Sequence, residues 1–299
     1  MNGDLIFGSF VTPTVSPPLH AVEMAVLSEQ AGLDLVTFQD HPYQPSFHDT
    51  WTLLSFAAAR TSRIHLAGNV LNIPLRRPSV LARSAASLDV LSGGRVEMGI
   101  GAGGFWDAIV GMGGERLTPG QSIQALEEAV AIMRGIWATD VRGGVRVDGE
   151  FHQVKGAKRG PAPAHDIGIW IGAYKPRILR TTGRIADGWL PSLPYLPDGP
   201  ASLEEMNKHI DEGAHAAGRD PSAVRRLLNI GGKFSAQGGG LLDGPPAQWA
   251  EQLAEISLTY GITGFILMAD DATTLQVFAG DVVPAVRELV AAEGVSAEG

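Results

Sequence analysis

The stretch that decides the fold is Leu88-Asp-Val-Leu-Ser-Gly-Gly-Arg95-Val-Glu-Met-Gly-Ile-Gly-Ala-Gly-Gly104. Its first residues end a periodic helix, Ser-Gly-Gly predicts a tight turn, and Arg95 to Ile100 has the pattern of a short buried strand. Small residues follow the strand, so another backbone or a flat ligand can approach there without meeting side chains. The carboxyl ends of parallel strands are where α/β folds place their chemistry.

The composition is that of a globular protein without a basic surface. Of the 299 residues, 44% are hydrophobic and 18% are charged, and the formal net charge is −9. This charge argues against nucleic acid or an anionic membrane as a partner. The chain has no cysteine, which excludes disulfides and cysteine-based metal sites. Because neither a signal-peptide pattern nor a membrane-spanning apolar run is present, we expect a cytoplasmic protein.

Strand and helix patterns alternate along the chain. Strands are predicted at 5–11, 33–38, 64–70, 95–100, 167–171, 187–190, 224–231 and 264–268. Helices are predicted at 19–31, 50–60, 78–91, 121–137, 176–185, 202–217, 246–260 and 273–292. Eight strands alternating with helices predict a closed α/β barrel, here a single domain over residues 1–299. Residues 141–166 interrupt the alternation with two short alternating runs around an Asp-Gly turn, which predicts a hairpin excursion.

The glycines after the fourth predicted strand match Gly-x-Gly-x-x-Gly at Gly99, Gly101 and Gly104. A Rossmann-type nicotinamide dehydrogenase is the weaker interpretation, because no clean helix follows and the motif is not on the first strand of its unit. Packing inside the barrel is enough to explain Gly99. Several small residues at one strand end have little packing value, so residues Gly101 to Gly104 together favour a ligand site.

Polar residues follow two other predicted strands. Asp40-His41-Pro42 comes after the second strand, where a carboxylate beside an imidazole can orient, protonate or deprotonate a bound ring. Taken alone, the same pair is better explained by a turn aspartate and a partly buried histidine bonded to backbone. Asn69-Val70-Leu-Asn72 ends the third strand and adds amides able to bond the edge of a heterocycle.

The segment Gly172-Ala173-Tyr174-Lys175-Pro176-Arg177 predicts the start of a helix with free backbone amides and two flanking cations. This arrangement is either a phosphate cradle or an ordinary strand-to-helix turn. Trp106 and Trp189 also follow predicted strands, where they either wall an apolar substrate pocket or pack in the core. The remaining histidines show no metal-ligand spacing, so the sequence predicts no metal site.

Taken together, these stretches resemble the luciferase-like flavin and deazaflavin oxidoreductases over almost the whole chain. The segment from Leu88 to Gly103 carries the specific part of the match. Supporting matches are Asp40-His41, Asn69-Val-Leu-Asn72 followed by Arg-Arg-Pro-Ser-Val-Leu-Ala-Arg, Trp170-Ile-Gly-Ala and Ala186-Asp-Gly-Trp-Leu. The resemblance implies a TIM (β/α)8 barrel with insertions, with a cofactor ring over the carboxyl ends of its strands.

The resemblance also assigns positions around that ring. A non-proline cis peptide is expected at Asn69-Val70, beneath the ring. Gly101, Ala102 and Gly103 are expected to line the ring. Gly172, Ala173 and Lys175 are expected to hold the phosphate tail.

The implied chemistry is hydride transfer to or from a small organic substrate. Asp40-His41 is similar to the branch that uses coenzyme F420, a deazaflavin, so His41 is expected to be the acid or base and Asp40 to bind or orient. That branch often has Glu soon after the strand-four glycines, where this chain has Asp107, so the proton comes from Asp107 or from His41 alone. FMN is the alternative cofactor, and a non-catalytic cofactor-binding barrel is the alternative function. Related barrels commonly pair, so a homodimer is expected.

Overall fold

The computed structural model describes residues 5–297, and its main feature is a closed barrel of parallel strands. The strands are β1 (Ile6–Val11), β2 (Leu35–Phe38), β3 (His65–Gly68), β4 (Val96–Gly101), β5 (Ile169–Ile171), β6 (Gly188–Trp189), β7 (Arg225–Ile230) and β8 (Gly264–Met268). Their order is β3-β2-β1-β8-β7-β6-β5-β4, and β3 also pairs with β4. This pairing closes the barrel, so the predicted TIM (β/α)8 fold is confirmed.

Helices connect and surround the strands. They are α1 (His20–Gln30), α2 (Thr50–Arg60), α3 (Pro78–Ser92), α4 (Trp106–Gly111), α5 (Pro119–Trp137), α6 (Pro176–Ile185), α7 (Ser202–Ala216), α8 (Pro246–Tyr260), α9 (Ala272–Val277) and α10 (Val283–Ala297). The sequence analysis missed α4, which is too short to show a helical period. The helix predicted at 273–292 is divided, since a π-helical turn at Phe278–Val282 joins α9 to α10. Within residues 5–297, no helix is both long and apolar enough to cross a bilayer.

The third strand is shorter than predicted. It ends at Gly68, and pairing with β4 resumes at Leu71–Asn72. Between these two segments the Asn69-Val70 peptide is cis, as predicted. The interruption places Asn69 and Val70 at the end of the barrel where the strands finish.

The predicted excursion contains an antiparallel hairpin, Val145–Asp148 paired with Gln153–Ala157. Glu128 of α5 fixes its tip. The Glu128 carboxylate accepts hydrogen bonds from three successive backbone N–H groups, those of Glu150, Phe151 and His152, at 2.9, 2.9 and 2.8 Å. The hairpin tip is therefore held beside the barrel instead of projecting from it.

We call the pairing of β3 with β4 the closure seam, and a buried guanidinium lies at its amino-terminal end. Arg95 directs its five N–H bonds to oxygens of the surrounding loops. Nε donates to the Ser92 carbonyl at 2.8 Å, and the two Nη groups donate to Ala58, Thr61 and Ile64 at 2.9 to 3.1 Å. One side chain thus ties the end of α2 and the start of β3 to the turn that leads into β4.

Replacing Arg95 by Lys should destabilise the barrel. A lysine ammonium has three N–H donors in place of five, so buried carbonyl oxygens lose their partners, at a cost of about 2 to 4 kcal/mol in the free energy of unfolding. Urea denaturation measures this difference. Arg60→Lys, at an exposed position at the end of α2, is the matched control and should differ from wild type by less than about 0.5 kcal/mol. Equal losses in the two variants would contradict the role given to Arg95.

Candidate active site

The carboxyl ends of β3, β4 and β5 meet around Val70. A Cβ atom added at Gly101 would lie 2.7 Å from Val70 Cγ2, and one added at Gly172 would lie 3.3 Å from both Val70 methyl groups. The valine therefore occupies space that side chains at positions 101 and 172 would fill, and it is itself only half-buried. We call Val70, Gly101 and Gly172 the Val70 platform, an apolar surface across three strand ends.

The loop after β4 borders this platform. Gly103 has φ +97°, a conformation that favours glycine. An added Cβ would lie 2.9 Å from Pro74 and 3.0 Å from the half-buried ring of Trp106. Gly104, in contrast, has no atom within 4 Å of such a Cβ. The backbone at Gly103 is thus closely packed, whereas Gly104 faces open space.

A pair of amides spans the barrel below the platform. Asn69 Nδ2 donates to Asn229 Oδ1 at 2.6 Å, and Asn229 Nδ2 donates back to Asn69 Oδ1 at 3.1 Å. Thr37 and Ser192 accept the second N–H of Asn69 and of Asn229, respectively. Both amide groups are buried and satisfied by protein atoms. The sequence analysis missed Asn229 because β7 is distant in the chain and no local motif marks that position.

Asn72 differs from Asn69 in one respect. Its side chain is buried, but its Oδ1 has no hydrogen-bond partner within residues 5–297. An unpaired buried oxygen costs about 1 to 3 kcal/mol. A ligand with an N–H group in this region would remove that cost.

The Asp40 carboxylate is enclosed by donors. Oδ2 accepts the backbone N–H of Asn72 and the Nε–H of Arg76, both at 2.8 Å, and Oδ1 accepts from Arg76 Nη2 at 2.8 Å. Arg76 also bonds Asp49, which caps α2. Burial disfavours the charged form of Arg76, but its bonds to Asp40 and then to Asp49 outweigh this and raise its pKa. Asp40 therefore joins the end of β2 to the segment after β3.

His41 lies in a group of aromatic rings. Its Nδ1 is 2.7 Å from the Tyr43 hydroxyl. The ring of Phe105 meets it edge-on at 5.3 Å between centroids, and Phe47 lies at 6.5 Å. Burial lowers the pKa of His41, an effect that the charge of Asp40 partly offsets. The imidazole is therefore neutral at pH 7, and no described residue bonds its Nε2.

The segment after β5 presents positive charge. Pro176 is the first residue of α6, and the exposed Lys175 and Arg177 flank it. Within residues 5–297, neither cation forms an ion pair with an acidic group; the ion pairs found there involve other residues. Free amides at a helix start together with two unpaired cations form an anion-binding arrangement.

A cavity of about 350 Å³ adjoins Ala102. The segment after β3, the loop between α4 and α5, and the hairpin tip line it. Arg77 and Met112 contribute side chains from the first two, and Phe151 and His152 from the hairpin. Burial lowers the pKa of His152, which leaves a neutral imidazole in the wall. The hairpin excursion therefore reaches the same end of the barrel as the Val70 platform.

Comparison with known proteins now identifies the family. Residues 6–231 match the family model described as luciferase-like monooxygenase. The chain belongs to this family. The luciferase-like chain is 32% identical over 224 residues to the F420-dependent glucose-6-phosphate dehydrogenase of Mycolicibacterium smegmatis, a match covering 71% of this chain and 64% of that protein. It is 33% identical over 222 residues to the 5,10-methylenetetrahydromethanopterin reductase of Methanolobus tindarius, covering 74% and 63%. The chain thus spans a little under two thirds of the length of these relatives.

Solved structures share the fold of this luciferase-like chain. An F420-dependent secondary alcohol dehydrogenase in complex with an F420-acetone adduct has a TM-score of 0.79 at 21% identity, covering 95% of this chain and 99% of that one. The coenzyme F420 dependent tetrahydromethanopterin reductase from Methanopyrus kandleri has a TM-score of 0.78 at 19% identity, covering 94% and 99%. These likenesses support a closed barrel, and the pairing of β3 with β4 is incompatible with the open sheet of the Rossmann alternative.

Two predicted site residues of the luciferase-like chain lie elsewhere. Trp189 is completely buried and donates its indole N–H to the Ala173 carbonyl at 2.9 Å. It packs in the core beneath the β5 loop and does not wall a pocket, which corrects the expectation. The Asp107 side chain is 99% exposed and pairs with Arg116. It makes no contact with His41, because α4 turns that carboxylate outward, so the structure does not bring the two proposed proton donors together.

The sequence shows no metal-ligand spacing among the histidines, but the fold brings three potential ligands together. His65 and His165 lie beside Glu97, and the nearest ligand atoms of the three residues are all within 4.8 Å of one another. The residues come from the start of β3, from β4 and from the loop before β5. Spacing along the chain gave no signal, because only closure of the barrel brings them together.

Asp40→Asn should destabilise the luciferase-like chain more than Asp49→Asn does. Loss of the buried charge leaves Arg76 without its enclosed partner, which we expect to cost about 3 kcal/mol. Asp49 is about half exposed, and asparagine retains its capping role, so the cost there should be below about 1 kcal/mol. Urea denaturation of both variants gives the comparison. Similar losses of unfolding free energy in the two variants would show that the Asp40–Arg76 pair stabilises the fold no more than the Asp49–Arg76 pair does.

Proposed function

We propose that this luciferase-like protein is an oxidoreductase that transfers a hydride between reduced coenzyme F420 and a small organic substrate. The observation that carries the proposal is a neutral, aromatic-enclosed His41 with a free Nε2, at the same barrel end as the Val70 platform. The name of the Mycolicibacterium smegmatis relative supports F420 as the cofactor. About a third of that relative's length is not matched by this chain, so its substrate is not transferred to this protein.

The residues at this end fit a flat ring with a phosphate tail. The Val70 platform offers an apolar face without protruding side chains, and Asn72 Oδ1 offers an unpaired acceptor for a ring N–H. Ala102 and Gly103 would border the ring. Gly172, Ala173 and Lys175, with the amides at the start of α6, would hold the phosphate. When bound, the ring supplies the hydride chemistry, and the protein supplies position and electrostatics.

Proton handling is assigned to His41. With its pKa lowered by burial, the imidazole is neutral at pH 7. When Nδ1–H donates to the Tyr43 oxygen, Nε2 has a lone pair and accepts the hydroxyl proton of a substrate being oxidised. In the reverse direction the same nitrogen returns that proton to a carbonyl oxygen being reduced. Asp40 is a positioning residue here, because its oxygens are already occupied by Asn72 and Arg76.

The cavity beside Ala102 is the proposed substrate-selecting region. Its walls include the loop between α4 and α5 and the hairpin tip with His152. A cavity of about 350 Å³ is at the lower end of the range for small-molecule sites. This supports a small organic substrate.

We retain the expectation of a homodimer as part of the proposal. Phe56 of α2 and Val80, Val90 and Leu91 of α3 expose large apolar side chains on one side of the barrel. Burial of such residues against a second copy would remove them from water.

Gly101→Ala tests the cofactor site. Its new Cβ would displace Val70, so the dissociation constant for F420 should rise about tenfold or more, which corresponds to about 1.4 kcal/mol. Gly104→Ala is the matched control, because its Cβ meets nothing, and its affinity should equal wild type. Fluorescence titration with F420 and separately with FMN measures both variants and decides between the two rings. Equal affinity in all three proteins would contradict the placement, and tighter binding of FMN would select the alternative cofactor.

His41→Ala tests the proton assignment. Removal of the imidazole should lower kcat about 100-fold or more, since general acid-base groups contribute about 10²- to 10⁴-fold. The F420 dissociation constant should change little. In wild type, the rate of substrate oxidation should fall as the pH drops through the lowered pKa of His41, because protonation removes the base.

Turnover of small alcohols and carbonyl compounds by stopped-flow absorbance provides the readout for His41→Ala. Asp107→Asn, at the exposed alternative donor, is the comparison and should keep the wild-type pH profile. Loss of the profile in Asp107→Asn alone would transfer the proton role to that residue. Tight ring binding without turnover of any substrate would favour a non-catalytic barrel.

A further inference from the structure

The three-residue cluster of His65, Glu97 and His165 lies at the opposite end of the barrel from the proposed cofactor site. His65 is the first residue of β3, and Glu97 is the second residue of β4. His165 precedes β5 in the chain. The residues of the Val70 platform lie where these same strands finish, so the strands themselves separate the two regions.

Two distances within the cluster, both to Glu97, are those expected between ligands of one metal ion, and all three ligand atoms lie within 4.8 Å of one another. Glu97 Oε1 lies 3.3 Å from His165 Nε2 and 3.6 Å from His65 Nδ1. Atoms bound tetrahedrally to zinc at about 2.0 to 2.2 Å are about 3.3 to 3.6 Å apart. The same separations are long for charge-assisted hydrogen bonds, which are about 2.7 to 2.9 Å.

His65 Nδ1 is an unsatisfied buried atom. It has no hydrogen-bond partner within residues 5–297, although the side chain is about one fifth exposed as a whole. A buried ring nitrogen without a partner needs an explanation. Coordination of an ion between Nδ1 and Glu97 would provide one.

The surrounding groups orient the other two side chains. His165 Nδ1 lies 2.8 Å from Oδ1 of the fully buried Asp89, which directs Nε2 toward Glu97. Glu97 Oε2 accepts the Gly168 backbone N–H at 2.7 Å, which leaves Oε1 facing the two rings. A carboxylate behind a ligating histidine is the usual outer arrangement of zinc sites.

We propose that His65, Glu97 and His165 bind one divalent transition-metal ion of the zinc type, through Nδ1, a carboxylate oxygen and Nε2. Two imidazoles and one carboxylate suit Zn²⁺ and Co²⁺ and disfavour Mg²⁺ and Ca²⁺, which prefer oxygen ligands alone. The partial exposure of both histidines leaves a fourth position for water and a path of entry. The bound ion joins β3, β4 and the segment before β5 at the closure seam, and its role is structural.

A proton is the competing occupant of the cluster. In the metal-free chain, hydrogen bonds to Asp89 and then to Glu97 raise the pKa of His165 to about 10. An imidazolium held by two carboxylates would make the cluster an ion network with no metal. The cluster is therefore either protonated and metal-free or bound to a metal ion, and metal titration distinguishes the two.

The test uses the full chain without a histidine tag, treated with a chelator and then dialysed. Calorimetric titration with Zn²⁺ should show one ion per chain, and Co²⁺ should give the visible absorption bands of a tetrahedral site. Zn²⁺ should also raise the melting temperature, whereas Mg²⁺ and Ca²⁺ should leave it unchanged. His65→Ala should weaken Zn²⁺ binding about tenfold or more.

Glu97→Gln provides a second variant that preserves the fold, because its amide oxygen can still accept the Gly168 N–H. It should lose affinity to a similar degree. His215→Ala, at an exposed position in α7, is the control and should bind as wild type does. Absence of Zn²⁺ binding by wild type at a tenfold molar excess, or equal binding by wild type, His65→Ala and Glu97→Gln, would overturn the proposal and leave the ion network. None of these measurements uses F420, so their outcome is separate from that of the proposed function.

Discussion

Closure of the barrel between β3 and β4 is the constraint on which the other features depend. The two strands share only the pairs Leu66 with Val96 and Ala67 with Glu97 before β3 is interrupted. Two pairs alone hold the strands weakly, and Arg95 adds hydrogen bonds across the seam. Its buried guanidinium binds the end of α2, the residue before β3 and the end of α3. The interruption of β3 places the Val70 side chain over the strand ends. Glycine at position 101 leaves the space that this side chain occupies. The seam thus links the stability of the fold to the shape of the proposed site.

Two neighbouring residues, Asp40 and His41, have opposite electrostatic environments. Asp40 is buried but accepts three hydrogen bonds, two of them from a guanidinium, so its charge is fully compensated. His41 is enclosed by aromatic rings and has one polar contact, so burial acts against its charged form and lowers its pKa. A compensated charge fixes geometry, whereas an uncharged imidazole with a free nitrogen can exchange a proton at neutral pH. This division supports the proposed roles of Asp40 as a positioning group and of His41 as the acid or base.

The parts of the structure that the sequence predicts correctly are those set by local physics. The Ser-Gly-Gly turn, the cap at Asp49 and the proline starts at Pro78, Pro176 and Pro246 each act within a few residues, and the corresponding helices begin where expected. Contacts across the barrel have no such signal. Asn229 reaches Asn69 from 160 positions away, and Glu97 has the alternation of an ordinary strand residue. The cis peptide at Asn69-Val70 was predicted from the family resemblance alone, because nothing in the local sequence marks it. Trp189 was misplaced because a position after a strand does not determine whether a side chain points inward or outward.

The two ends of the barrel offer different chemistry to a ligand because they leave different polar groups unsatisfied. At the carboxyl end, small residues keep side chains away from Val70, Asp40 is paired with Arg76, and one amide oxygen of Asn72 lacks a partner. Such a surface suits a broad, flat molecule that forms few hydrogen bonds. At the amino-terminal end of the same seam, ionisable groups are concentrated, and Glu97 lies 3.3 and 3.6 Å from the two histidines, which is long for charge-assisted hydrogen bonds. A small cation, either a proton or a metal ion, would compensate the Glu97 carboxylate there. The same eight strands can therefore present the proposed cofactor surface and the proposed ion site at separate ends.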